Sequence, residues 1–73
     1  MSEYAINLIW DADAFVWIAT SNDIPGLVLE SGSFDALVER VRYAVPELLE
    51  LNGLVRSDVP LCFTSERHER AYA

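Results

Sequence analysis

Lysine is absent from this 73-residue chain, and its five basic residues are arginines that begin only at Arg40. Residues 1–39 hold seven acids (Glu3, Asp11, Asp13, Asp23, Glu30, Asp35, Glu39) and no positive side chain. In residues 40–73 the five arginines meet five acids (Glu47, Glu50, Asp58, Glu66, Glu69), so the formal charge of −7 sits in the first half. Recognition of nucleic-acid phosphate wants a basic stripe, and direct DNA or RNA binding is therefore not expected. A basic partner is expected, because complementary fields speed encounter and reject wrong partners. The competing account is that acidity keeps a small apolar protein soluble.

Cysteine and histidine are equally scarce. Cys62 alone cannot staple the chain, which excludes a disulfide-dense secreted mini-domain. With His68 as the only histidine, a zinc site lacks ligands, and no cofactor or metal is expected. No run of 18 apolar residues exists to span a membrane. The start, MSEYAINLIWDADAF, carries an acid and no base, unlike the cationic start of a signal peptide, so a cytoplasmic location is expected. Glycine-rich phosphate loops, a nucleophile elbow and metal motifs are all missing, so neither catalysis nor a small-molecule substrate is expected. Asp11 and Asp13 read as turn residues, His68 as a solvated side chain and Cys62 as a small core hydrophobe.

What is present is apolar. Hydrophobic residues make up 52% of the chain against 23% charged, which excludes disorder. The length allows one domain, residues 1–73, and a chain of this size buries only about 60% of its unfolded surface. Without disulfide or metal, such a domain relies on an idealised core or on oligomerisation. A homodimer or higher homo-oligomer is expected.

Hydrophobic periodicity divides the chain into elements. Tyr4–Trp10 alternates Tyr4, Ile6, Leu8 and Trp10 against Ala5, Asn7 and Ile9, the pattern of a strand. Asp11–Ala14 is a polar turn, and Phe15–Ala19 a second strand that closes a hairpin. Pro25 and Gly26 form a structural turn: proline presets the first central position and glycine accepts the positive φ of a type II turn at the second. Leu27–Glu30 is a short third strand. From Ser33 the period becomes helical, with Phe34, Leu37, Val38, Val41, Val45, Leu48 and Leu49 on one face. Ser33 is the expected N-cap, Asp35 suits the positive helix end, and Asn52-Gly53 is the stop. Pro46 interrupts this register without breaking it, so the spacing predicts a single kinked helix, or two collinear ones with Pro46 opening the second. After a loop through Arg56 and Asp58, a fourth strand is expected over about residues 59–65. In it Leu61 and Phe63 share a face, and Pro60 suits a sheet edge. Residues 66–73 form a polar tail. The order β-β-β-α-β is an α+β domain with one helix packed on a small, largely antiparallel sheet.

Aromatic residues concentrate on the hairpin, where Trp10 and Trp17 stand beside the acidic turn. Because strands two and three hardly alternate, the sheet face away from the helix keeps apolar side chains. An uncovered apolar face marks an interaction surface, and tryptophan is a typical hot-spot residue. Trp10, Asp11, Asp13, Trp17 and Asp23 are the expected partner-binding residues, and Leu61 and Phe63 the expected dimer contacts. The bland alternative is that both tryptophans complete the core.

The run WDADAFVWIATSNDIPGLVLES (Trp10–Ser31), followed by FDALVERVRYAVPELLE (Phe34–Glu50), resembles the HicB-like antitoxin superfamily, in its small domain-of-unknown-function branch. The resemblance rests on the acidic hairpin turn, the aromatic opening of strand two, the Asp23-Ile24-Pro25-Gly26-Leu27 turn and the helix behind a small polar residue. It implies a partial RNase H-like fold, usually dimeric, and neutralisation of a small basic mRNA-cleaving toxin of the HicA type. HicB antitoxins commonly add a C-terminal DNA-binding module. Here residues 54–73 read as one strand and a tail, so no such module is expected. The competing readings are an orphan dimeric module without a toxin partner and a metal-dependent nuclease built on Asp11, Asp13 and Glu30.

Overall fold

The computed structural model describes residues 3–54 and 58–72. Four strands and one helix follow in the order β1 (Tyr4–Asp11), β2 (Val16–Thr20), β3 (Val28–Ser31), α1 (Phe34–Leu51) and β4 (Leu61–Glu66). The fold is α+β, with a mixed sheet in the order β3-β2-β1-β4. Antiparallel pairing joins β1 to β2 and β2 to β3, while β4 lies parallel to β1. A parallel neighbour cannot be reached by a tight turn, and α1 supplies the crossing from one edge strand to the other. Among the described residues no helix is long and apolar enough to cross a membrane.

Alternation decides which residues meet the helix. Ile6 and Leu8 of β1 and Ala19 of β2 are fully buried beneath Leu37, Val41, Val45 and Leu49, which recur every fourth residue along α1. Ile24 and Leu27, from the loop between β2 and β3, complete this core. The expected type II turn is present between them: Gly26 has φ +86°, and the Leu27 N–H donates to the Ile24 carbonyl at 3.3 Å. That bond engages the Leu27 backbone, so β3 opens at Val28 rather than at Leu27. The turn therefore delivers two core side chains as well as a chain reversal.

The helix is one element across Pro46. Proline removes the N–H that would reach the Arg42 carbonyl, but both residues lie on the exposed side of α1, where water can satisfy that oxygen. Ser33 caps the helix, its hydroxyl accepting from the Ala36 N–H at 3.2 Å. Asn52 closes the last turn, and Gly53 carries the chain away at φ +82°.

β4 opens at Leu61, later than residue 59 as expected from the sequence, and runs to Glu66. The Pro60 carbonyl accepts from the Tyr4 N–H at 2.9 Å, so proline stands at the strand's threshold on the sheet edge. Arg56, expected in the preceding loop, lies outside the described residues. Cys62 is exposed, correcting the expectation of a core cysteine. The physical reason is period two: Leu61 and Phe63 turn inward to pack on the core, so the residue between them points outward.

Candidate functional site

The far end of the β1–β2 hairpin gathers the aromatic residues. Trp10 and Trp17 are cross-strand partners, which puts both on the helix side of the sheet. Their ring centroids stand 5.4 Å apart at 60°. Phe34, at the start of α1, meets Trp17 edge-on at 5.0 Å, and Phe15 meets Trp10 edge-on at 6.5 Å. The result is a row, Phe34–Trp17–Trp10–Phe15, running from the core to solvent. Trp17 packs against the core cluster, whereas Phe15 is 72% exposed.

The turn that ends this row is held by its own acid. The Asp11 carboxylate accepts from the backbone N–H groups of Asp13 and Ala14 at 3.0 and 3.3 Å, the local bonding that makes Asp a turn former. Phe15 follows at φ +56°, a left-handed conformation that non-glycine residues adopt at a cost of order 1 kcal/mol. That geometry delays β2 until Val16, one residue later than expected from the sequence. It also holds an exposed aromatic beside Trp10. Asp13 is exposed at the tip.

Asp23 stands elsewhere. Its carboxylate accepts from the Ala5 N–H at 2.7 Å, while the Ser21 hydroxyl donates to the Ala5 carbonyl at 2.6 Å and accepts from the Asp23 N–H at 3.0 Å. These two side chains serve both backbone groups of Ala5 beyond the last β1–β2 pair, Asn7 with Thr20. Six residues of strand, about 20 Å at the usual rise, separate Ala5 from Asp11. The sequence groups Asp11, Asp13 and Asp23 around the aromatic hairpin; the structure keeps the first two there and puts Asp23 at the hairpin's opposite end.

Leu61 and Phe63 are half-buried against the core on the helix side. The opposite face of the sheet presents Ile9 (51% exposed) and Val28 (69% exposed). Val16, Ile18 and Thr20 share that face as register partners of Asp11, Ile9 and Val28. Glu30, which pairs with Ile18, lies there too, on the edge strand. Among the described residues no three His, Cys, Asp or Glu side chains converge on a point that could hold a metal ion, so Asp11, Asp13 and Glu30 form no such set. His68 is exposed in the tail, where its ring bonds the Glu66 carboxylate.

A family model described as a domain of unknown function, DUF1902, matches residues 3–73. The chain belongs to the DUF1902 family. Among solved structures the DUF1902 chain is similar to a hypothetical protein, TTHA1013, from the extremely thermophilic bacterium Thermus thermophilus. The two share 34% identity at a TM-score of 0.81, over 96% of this chain and 100% of the other. No curated protein matches it.

One participant at this hairpin end carries no signal in the sequence. The guanidinium of Arg67 lies over Trp10, 4.1 Å from the ring centroid, and 5.8 Å from that of Trp17. Nothing in local sequence pairs residue 67 with residue 10. The parallel register does: Glu66 is opposite Ile9, so the next residue falls alongside Trp10.

Proposed function

We propose that this protein acts by binding, without catalysis, as a HicB-like antitoxin that neutralises a small basic mRNA-cleaving toxin of the HicA type. The observation that carries the reading is the hairpin end, where a solvent-reaching aromatic row stands beside Asp11 and Asp13 in a chain of net charge −7. A basic RNase recognises phosphate, and an acidic face competes for that surface without being a substrate. The strand order β3-β2-β1-β4 with its parallel β1–β4 pair supports a partial RNase H-like, HicB-like reading of the fold.

The test is growth rescue and two-salt binding kinetics with the product of the adjacent gene. Rim carboxylates act on association rate and buried aromatic anchors on dissociation. Replacing Asp11 and Asp13 with Asn together is expected to slow association and flatten its salt dependence. Trp17→Ala is expected to speed release by about 2 kcal/mol or more, the scale of a hot spot. An unchanged association rate at both salts would overturn the electrostatic part of the reading. Absence of any rescue would overturn the whole.

The open sheet face favours a second reading, an orphan dimeric module whose partner is its own copy. Ile9 and Val28 there are apolar and uncovered, and association through that face would hide them. A stable monomer in sedimentation at low micromolar concentration would remove this reading.

A further inference from the structure

The Trp10 face is already occupied, and by a guanidinium. Arg67 spans Trp10 and Trp17 on the helix side of the sheet, with its Nε donating to the Glu69 carboxylate at 2.6 Å. Its side chain is 43% exposed. From Arg67 to Tyr72 the C-terminal arm is exposed throughout, Tyr72 completely. The occupant is therefore held by stacking on the indoles and one solvent-facing ion pair, both of the weak exposed kind.

We propose that the Trp10–Trp17 pad is a docking seat for an arginine side chain of a basic protein partner, closed in the free molecule by the chain's own Arg67. This rests on the reading above that the aromatic hairpin end faces the partner. The ring faces are electron-rich and suit a planar cation, and the guanidinium seated there shows which cation their spacing accepts. Asp11 and Asp13 stand at the same end, Asp11 by register on the sheet face opposite the rings, and residues 1–39 contain no positive side chain to repel an incoming one. Exposed Phe15 forms the outer wall beside Trp10. An incoming arginine displaces Arg67, swings the arm aside and leaves Glu69 free as a further carboxylate for the partner. Arg67 thus behaves as a tethered competitor: the apparent affinity for a partner is lowered by the fraction of molecules in which the seat is closed.

The experiment titrates the full chain with a hexa-arginine peptide, followed by tryptophan fluorescence, with hexa-lysine as the equal-charge control. Arg67→Ala is expected to tighten hexa-arginine binding about fivefold, the gain from opening a seat held by exposed cation–π contacts and a solvent-facing ion pair. Arg70→Ala removes the same charge from the same arm without touching a ring, and is expected to shift binding much less. Trp10→Leu keeps an apolar side chain and removes the π face. It is expected to abolish the preference for hexa-arginine over hexa-lysine while its circular dichroism stays native. Equal tightening by Arg67→Ala and Arg70→Ala would reduce the effect to net charge and overturn the proposal, as would an unchanged arginine preference in Trp10→Leu. Because the peptide replaces the toxin, these results stand apart from growth rescue. Failure of rescue with a working seat would overturn the antitoxin reading alone.

Discussion

The two faces of the sheet differ in composition and in fate: the open one mixes Ile9, Val16, Ile18 and Val28 with Asn7, Asp11, Glu30 and Glu66. On the helix side Ile6, Leu8 and Ala19 are wholly buried; on the other, Ile9 and Val28 are half or more exposed, although they are just as apolar. Neighbours in one strand, Leu8 and Ile9, therefore live in opposite environments. A single 18-residue helix covers one layer, and the described residues offer no second element to lay across the back. Apolar content here thus exceeds what the fold itself can use. The surplus, Ile9, Val16, Ile18 and Val28, sits on the open face beside the hairpin end.

The largest expected effect tests the covered face. Leu8→Ala should cost about 2–5 kcal/mol in urea unfolding, the range for truncating a fully buried leucine. Ile9→Ala, one residue away, should change stability by about 0.5 kcal/mol or less, as exposed positions do. A cost at Ile9 that approaches that at Leu8, and that grows with protein concentration, would erase the contrast between the faces and show that a second copy covers the open one.

A middle-sized effect is expected at the hairpin's other end. Asp23→Ala leaves the Ala5 N–H without its acceptor and should cost about 1 kcal/mol, since that amide regains a bond to water. The same substitution should leave binding of hexa-arginine unchanged, because Asp23 is remote from Trp10. Lost binding in Asp23→Ala at full stability would place it in the partner surface after all.

The smallest effect concerns Cys62, which faces the open side from β4. Cys62→Ser should be neutral within about 0.5 kcal/mol. In the native protein its thiol should react with a thiol-specific reagent about as fast as in the unfolded chain. Protection that appears only at high protein concentration would again mean that two copies meet across this face.

Much of the architecture is legible in the amino-acid order because local rules wrote it. Ser33, the unbroken apolar register from Phe34 to Leu49 and Asn52-Gly53 mark the helix to within a residue. Pro25-Gly26 marks its turn, since only a residue free of a Cβ takes φ +86° there without strain. Alternation in Tyr4–Trp10 identifies β1 and its inward face. These signals act over one to four residues, so they survive being read one segment at a time.

The amino-acid order alone therefore supplies an inventory: three strands, a capped helix, a fourth strand, one apolar surplus and a charge confined to the first half. Folding in three dimensions settled who meets whom. It sent Asp23 to clamp Ala5, about 20 Å by strand rise from Asp11, and set Arg67 on Trp10 from the other end of the chain. Each of these follows from strand order and register, above all from the parallel pairing of β4 with β1. That pairing depends on the packing of the whole helix against the sheet, a sum over many distant side chains that no local pattern encodes.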